Sequence, residues 1–153
     1  RARIDLAKDA NEEMTKLTDC NTKKKAIVHQ EFKTLIAGLK ADSNASIRQT
    51  KYATTELSYT SKSNTDQLAV FSEIYYPEGW NCYVDGKQIE TLRANYILRA
   101  AKIPKGTHQI EWKFEPKAFQ TGSNLSFAGS SLLLLACIGV FWMNRKVTPA
   151  EEV

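Results

Sequence analysis

The sequence predicts a mainly β fold: an antiparallel β-sandwich with a small N-terminal α/β segment before it and one C-terminal transmembrane helix after it. Three observations predict this fold. Short runs of alternating apolar and polar residues recur between residues 46 and 117, helical spacing is confined to residues 1–45, and no charged residue occurs between Ala118 and Asn144. With 153 residues, 42% apolar and 25% charged, the chain has the composition of one ordinary globular domain plus an appendage.

The N-terminal segment contains two helical patterns and one short strand. Asp9 followed by Glu12 has the spacing of a capping box, so we expect a short helix that ends by Asn21. Residues 26–28 read as a strand. The apolar residues from Phe32 to Leu39 again have helical spacing, which predicts a second helical stretch.

Six or seven short strands are expected in the sandwich, at residues 47–54, 55–61, 67–75, 81–84, 87–92, 96–103 and 107–115. Asp85-Gly86 supplies the positive φ angles of a type I′ hairpin turn. Apolar side chains on both faces of residues 67–75 favour a central strand. The side chains expected inside the sandwich are Phe71, Ile74, Trp112 and Phe114, with Ile110 and His108 on the same face of their strand.

The segment from Leu125 to Met143 is apolar and long enough to cross a bilayer. As a helix its nineteen residues span ~28 Å at ~1.5 Å per residue, close to the ~30 Å of a hydrocarbon core. A soluble domain of this size cannot surround a helix that is apolar on every side. We therefore expect residues 118–146 to form a transmembrane helix.

The orientation of that helix is predicted from its flanks. Arg145 and Lys146 follow the apolar segment directly, and the positive-inside rule places this end in the cytoplasm. The residues before about 120, including the β-sandwich at 46–117, are then extracytoplasmic, and residues 147–153 form a cytoplasmic tail.

Several kinds of site are not expected. His29 and His108 lie far apart without a zinc-binding pattern, no phosphate-loop motif is present, and the sequence indicates no metal, cofactor or catalytic residue. The net charge of +4 is spread over interspersed signs, so we expect no nucleic-acid partner. Cys20 and Cys82 could pair in an oxidising compartment, and the sequence leaves this open.

One cluster of aromatic and polar residues is a candidate ligand site. Aromatic rings beside arginine and asparagine could form a platform on which a sugar stacks. The competing interpretation is structural, because aromatic residues at strand ends commonly close a sandwich and Pro77-x-Gly79 makes a turn. The candidate residues are Tyr75, Tyr76, Trp80, Tyr83, Arg93, Asn95 and Tyr96.

Four blocks of sequence carry a resemblance to a known family: QLAVFSEIYYPEGW at 67–80, VDGK at 84–87, LRANY at 92–96 and FEP at 114–116. They resemble the C-terminal end of the YfhO family of bacterial multi-pass membrane proteins, especially the Bacteroidetes type. The similarity runs from about Asn11 through the final apolar segment. Because the chain begins at Arg1 without an initiator methionine, we expect it to be part of a longer protein.

The resemblance implies a function. The family is similar to GT-C glycosyltransferases, which use a polyprenyl-phosphate-linked sugar at the outer face of the bacterial cytoplasmic membrane. The chain would then be an accessory extracytoplasmic domain with the last transmembrane helix. Its expected partners are the lipid bilayer, upstream transmembrane helices, and a lipid-linked sugar or glycan acceptor. In GT-C enzymes the catalytic carboxylate lies in an early loop, so no catalytic residue is assigned here.

Two other functions remain open from the sequence. The chain could be a single-pass, membrane-anchored β-sandwich that binds a partner or acts as a spacer, with no enzymatic role. It could also brace the helices of a membrane protein and bind nothing.

Overall fold

The computed structural model describes residues 3–145, in which ten strands, two α-helices and one short 3-10 helix follow one another. The 3-10 helix spans Gln30–Phe32. The other elements are β1 (Arg3–Ala7), α1 (Ala10–Thr18), β2 (Lys25–His29), β3 (Ser46–Tyr52), β4 (Glu56–Ser63), β5 (Gln67–Ile74), β6 (Trp80–Val84), β7 (Lys87–Ile89), β8 (Thr91–Ala94), β9 (Leu98–Ile103), β10 (Gly106–Phe114) and α2 (Lys117–Arg145).

The strands form two five-stranded sheets. Sheet A has the order β1-β2-β8-β9-β5, and sheet B has the order β3-β4-β10-β6-β7. The pair β1–β2 is parallel, and the other described pairs are antiparallel. The predicted fold class, a mainly β protein with a small N-terminal α/β segment and one apolar C-terminal helix, is therefore confirmed.

The main core lies between the two sheets. Phe71 of sheet A meets Trp112 of sheet B edge-to-face, with 5.2 Å between ring centroids. Burying a large apolar side chain contributes about 1.5–3 kcal/mol, so this shared layer holds the sheets together. The buried members of the layer are Leu57, Phe71, Cys82, Val84, Ala101, Ile103, Ile110 and Trp112.

A second apolar cluster lies on the opposite face of sheet A. Its buried members are Val28, Leu92, Ala94 and Ala100. The turn segment, which we define as residues 30–41, packs Phe32, Leu35 and Ile36 against it. Sheet A is therefore covered on both faces, and alternate residues of its strands face the two clusters.

The helix predicted from Phe32 to Leu39 is wrong. Only the 3-10 turn at Gln30–Phe32 is helical, and residues 33–38 form successive turns. A helix this short is costly to nucleate, and Gly38 has a φ of +77°, outside the helical region. The spacing of the apolar residues does not reflect a helix here. The successive turns also place these side chains on the side that faces sheet A.

The prediction that residues 67–75 form a central strand is also wrong, because β5 is at the edge of sheet A. Its two apolar faces have another explanation. Phe71 faces sheet B, whereas Leu68 and Val70 face the turn segment. Apolar residues on both faces of a strand indicate that other layers cover it above and below. They do not indicate whether the strand is central or at the edge of its sheet.

Two of the four side chains expected inside the sandwich are exposed. Phe71 and Trp112 are buried, but Ile74 is 67% exposed and Phe114 is 38% exposed. Both exposed residues are the last of their strands, where the facing layer no longer covers them. His108, expected on the inner face, is half-buried at the other end of β10.

Several local predictions are confirmed. The Asp9 side chain caps α1 by accepting a hydrogen bond from the Glu12 amide at 2.8 Å. Asp85 and Gly86 have φ angles of +50° and +80° between β6 and β7, as a type I′ turn requires.

The segment predicted as one strand at 87–92 is two strands in different sheets. β7 pairs with β6 in sheet B, β8 pairs with β9 in sheet A, and only Glu90 lies between them. Strand β1 was not predicted at all. It pairs with β2, so two strands that precede Ser46 belong to sheet A together with three strands that follow it.

The chain divides into two compact units, one ending at Glu115 and one beginning at Pro116. The second unit contains α2, whose 29 residues are long and apolar enough to cross a membrane, and none of its most apolar stretch is buried. The helix predicted at 118–146 therefore forms over nearly the same residues. The predicted cytoplasmic tail, 147–153, lies outside the described residues.

Candidate functional site

The residues predicted to form a sugar platform do not all share one surface. The structure distributes them over four sets of contacts in the first unit. These sets are Arg93, Asn95 and Tyr96 near α1; Trp80 with Tyr76 at the turn after β5; Tyr83 on the outer face of sheet B; and Tyr75 beside the turn segment.

The first set surrounds Glu13, a carboxylate of α1 that has no exposed surface. Glu13 accepts a hydrogen bond from the backbone amide of Tyr96 at 2.8 Å and one from Arg93 Nη2 at 3.3 Å. The Arg93 guanidinium also lies 5.8 Å from the centroid of the Tyr96 ring. Arg93 Nη2 and the backbone amide of Tyr96 therefore hold α1 against sheet A.

Asn95 belongs to the same region and has a structural role. It is 8% exposed, with a φ of +49° that asparagine tolerates better than most residues. Its Oδ1 accepts from the Ile27 amide at 2.8 Å, and its own amide donates to the Ile27 carbonyl at 2.7 Å. These two bonds continue the short β2–β8 pairing and engage the side-chain oxygen of Asn95 within the fold.

Trp80 packs against a buried arginine. The Arg99 guanidinium, 2% exposed, lies 4.3 Å from the Trp80 ring centroid and 4.9 Å from that of Trp112. It also forms an ion pair with Glu73 at 3.4 Å. Burial lowers the pKa of Arg99, an effect that the nearby Glu73 carboxylate opposes. Arg99 Nε and Nη1 have no hydrogen-bond partner among the described residues.

Tyr76 is 47% exposed and packs around a glycine. A Cβ on Gly79 would come within 2.6 Å of the Tyr76 ring and 2.5 Å of the Phe114 ring. The turn therefore requires glycine at this position, because the backbone passes directly between two aromatic rings. One part of the Tyr76 side chain remains accessible to solvent.

Tyr83 donates its hydroxyl to Glu115 at 2.8 Å, and Asn81 donates to the same oxygen at 2.9 Å. These bonds lower the pKa of Glu115, with Asn81 as the larger cause, and the bond to the carboxylate raises the pKa of Tyr83. Lys113 Nζ lies 5.2 Å from the centroid of the Tyr83 ring. The Tyr83 ring is thus partly covered by Lys113 of the adjacent strand, β10.

Tyr75 is half-buried and lies edge-on to Phe32, with 6.5 Å between ring centroids. Burial raises the pKa of Tyr75. With Trp80 and Thr91 it lines a cleft of about 340 Å3 where the chain crosses from sheet B to sheet A. Tyr75 and Trp80 are the two predicted site residues that line this cleft, which places it among the possible sites for a small ligand.

Cys20 and Cys82, whose pairing the sequence left open, are not joined to each other. Cys20 and Cys82 are free thiols, and burial raises the pKa of Cys82 to about 12. Between residues 3 and 145, no group of three or more His, Cys, Asp or Glu residues could hold a metal ion.

The part of the chain that contains both sheets also matches a known protein family. A family model described as bacterial membrane protein YfhO matches residues 10–126. The match begins with α1, includes both sheets from β2 onward and ends inside α2. It covers more than half of the chain. The chain belongs to the YfhO family.

No curated protein and no solved structure matches this YfhO chain. The family description and the exposed apolar helix α2 agree that it is a membrane protein. The family description names no ligand or reaction.

Sequence reasoning missed two residues that organise this YfhO domain. Glu13 lies in a short helix among charged neighbours, where a solvent-facing position would be expected. Arg99 stands in β9 between apolar residues, and the alternation of this strand, LRAAKI, was the only sign that its side chain is buried. Identifying their partners required the pairing of strands that are distant in sequence.

Proposed function

We propose that the chain is the extracytoplasmic domain and last transmembrane helix of a YfhO-family protein, and that it assists glycosyl transfer from a polyprenyl-phosphate-linked sugar. The observation that supports the proposal is α2. It is an apolar helix of membrane-spanning length, it is not buried, and it follows a β unit that matches the family of bacterial membrane proteins.

The orientation is supported by the charges that follow α2. Arg145 ends the helix and Lys146 comes next in the sequence, whereas no charged residue occurs between Ala118 and Asn144. Positive residues are enriched on the cytoplasmic side of membrane spans. The two sheets then lie outside the cytoplasm, where a lipid-linked sugar would be used.

An accessory role is supported by the chemistry of the described residues. The aromatic groups are positioned by packing, and Tyr75 and Trp80 line a cleft that could hold part of a glycan. The reacting carboxylate would come from another part of the complete protein. This domain would hold the acceptor or the donor near it.

A second function, a binding or bracing module with no enzymatic role, is favoured by the contacts of the candidate residues. Arg93 and Asn95 bind α1 and β2, and Trp80 covers Arg99. Groups engaged in this way stabilise the fold whether or not a sugar binds.

The orientation is tested by labelling substituted cysteines in intact spheroplasts with a membrane-impermeant maleimide. In a Cys20→Ser background, Lys87→Cys at the β6–β7 turn should react from outside, whereas Thr148→Cys should react only after the membrane is opened. The opposite pattern would place the sheets in the cytoplasm and refute the proposal.

The role in transfer is tested in the complete gene product. Tyr75→Ala and Tyr76→Ala should lower transfer of the lipid-linked sugar at an unchanged protein level. Tyr52→Ala is the matched control, since Tyr52 is a 71% exposed tyrosine of β3. Full transfer activity in both variants would rule out a role of these two rings in transfer. Full activity after removal of both sheets would show that the sheets neither assist transfer nor brace the helices that carry it out.

A further inference from the structure

A cavity of about 610 Å3 lies on the face of sheet A that points away from sheet B, under the turn segment. It is distinct from the cleft at Tyr75. Its volume falls within the range of about 300–1,000 Å3 that is usual for small-molecule sites. Its floor is apolar, with side chains from β1, β5 and the turn segment: Ile4, Leu6, Leu68, Val70, Ile36 and Leu39.

The apolar floor is incompletely covered. Ile4, Leu6, Leu68 and Val70 pack against the second apolar cluster but are themselves only partly buried. The turn segment crosses this layer as loose turns and not as a helix, so it leaves room beside the sheet. An apolar surface inside a cavity gains free energy when an apolar ligand removes it from water.

The lining also includes four cationic side chains, Arg3, Lys25, Lys33 and Lys40. Lys25 forms an ion pair with Asp5. The other three make no ion pair with any carboxylate in the described part of the chain, and all three are exposed. Asp and Glu are absent from the residues that line the cavity. The charge of this lining therefore favours an anion.

We propose that this cavity binds an amphiphile with a phosphate head and a single apolar chain. The hydrocarbon chain of the ligand would lie on the floor formed by β1, β5 and the turn segment. Its phosphate head would lie among Arg3, Lys33 and Lys40. A phosphate monoester carries up to two negative charges and three acceptor oxygens, which suits several cations at once. Guanidinium and ammonium groups form strong, charge-assisted bonds to phosphate.

Both halves of the lining are needed for this assignment. A neutral lipid would make no bond to the three exposed cations, and a free inorganic anion would leave the apolar floor in contact with water. The inference rests on the cavity alone and would hold even if the proposed glycosyl transfer were wrong.

The first test is photocrosslinking of the full chain in zwitterionic nanodiscs with a diazirine-bearing dodecyl phosphate. The expected crosslinks, mapped by mass spectrometry, lie in the turn segment and in β5. Crosslinks confined to α2 would show that the probe only follows the bilayer, and they would overturn the proposal.

The second test distinguishes the contribution of the cations, which would bind the phosphate head, from that of the apolar floor, which would bind the hydrocarbon chain. Lys33→Glu combined with Lys40→Glu should reduce crosslinking in the turn segment roughly tenfold or more, since each charge-assisted bond is strong. Ala37→Trp should reduce it by filling the apolar part while every cation remains. Lys62→Glu combined with Lys87→Glu, which makes the same charge change on exposed residues of sheet B, should have no effect.

Competition decides the ligand class. Unlabelled dodecyl phosphate should compete, whereas dodecanol and inorganic phosphate should not at the same concentration. Equal competition by dodecanol would refute the role of the cations, and equal competition by inorganic phosphate would refute the role of the floor. Circular dichroism identifies any variant that fails to fold, and the competition series on the wild-type chain then remains decisive.

Discussion

Asn95 shows how one polar side chain extends the pairing between two strands. β2 and β8 share a single register pair, Val28 with Ala94. The next residue, Asn95, turns into the left-handed region and exchanges two hydrogen bonds with Ile27 through its amide and its side chain. The side-chain oxygen thereby occupies the place of a backbone carbonyl that the turn has removed from the sheet.

We predict that Asn95→Ala lowers the free energy of unfolding by about 2–3 kcal/mol, because it leaves the buried Ile27 amide unpaired and places alanine at a positive φ. Asn95→Gly is the control, since glycine accepts this φ and only the hydrogen bond is lost. Denaturant titration followed by tryptophan fluorescence measures both. Equal stability of Asn95→Ala and wild type would show that the side-chain bond contributes nothing.

His108 and Asp85 form a pH-dependent pair beside the β6–β7 turn. His108 Nδ1 lies 2.6 Å from Asp85 Oδ2. This contact is the main cause that raises the pKa of His108, and His108 is in turn the main cause that lowers the pKa of Asp85, with the Gln109 amide adding to it.

The sign of the pH effect follows from these directions. A raised pKa means that His108 stabilises the fold fully below its unfolded pKa, ordinarily 6.5, and loses this contribution as the pH rises through the folded pKa. A lowered pKa means that Asp85 contributes above its unfolded pKa, ordinarily 3.8, and loses this contribution as the pH falls through its folded pKa.

We therefore predict that the pair stabilises the fold most between about pH 4 and about pH 6.5. The difference in unfolding midpoint between wild type and His108→Gln should shrink as the pH rises to about 9. Thermal unfolding across this pH range measures it, with Lys113→Gln as a control away from the pair. A difference that grows with pH would contradict the assigned directions.

Among the elements, α1 is held in place by one carboxylate. Glu13 is fully buried and joins α1 to β8 through Arg93 and to the turn after β8 through the Tyr96 amide. A short helix has little stability of its own. Its position therefore depends on this contact and on the Asp9 cap.

We predict that Glu13→Ala destabilises the fold by about 2–4 kcal/mol, since the Tyr96 amide and the Arg93 guanidinium both lose a partner. Glu13→Gln should cost less, because an amide oxygen can still accept from Tyr96. Hydrogen exchange at the amides of α1 should accelerate in the alanine variant. Unchanged exchange there would show that packing alone holds the helix.

The sequence was most informative where a local rule decides the structure. The Asp9 cap, the Asp85-Gly86 turn and the alternation in β10 depend on neighbouring residues, so the pattern was sufficient. The turn segment was misread because turns and a helix can place the same apolar residues on one side. β1 was missed because its pairing partner, β2, lies beyond α1 in the sequence.

The candidate site was less predictable than the fold, for a related reason. Proximity in sequence suggested that Trp80, Arg93 and Tyr96 share a surface. In the structure Trp80 packs against Arg99, whereas Arg93 and the Tyr96 amide bind Glu13. The cavity under the turn segment combines residues from β1, β2, β5 and the turns. No run of sequence contains that combination, and it becomes visible only when sheet A is assembled.

On the scale of the whole molecule, the first unit carries its own core. Both apolar clusters are built from residues that precede Pro116. β10 ends at Phe114, and Glu115 is still tied to this unit through its amide, which donates to the Gly79 carbonyl at 2.6 Å.

We predict that a chain truncated after Glu115 folds without detergent. Size-exclusion chromatography should give a single compact species, and near-ultraviolet circular dichroism should show ordered Trp80 and Trp112. The full chain in detergent is the reference for both spectra. An aggregated or spectrally featureless fragment would show that the first unit needs α2 to fold.

The crossing between the sheets at Glu90 has a mechanical consequence. One residue connects β7, in sheet B, to β8, in sheet A, so at this corner the sheets cannot slide or part without breaking ladder bonds on one side. Breathing motions that widen the interior must then hinge about this corner. Lengthening the connection by a few flexible residues would remove that constraint. Solvent should then reach the centre of the sandwich faster, while the strands of both sheets remain paired.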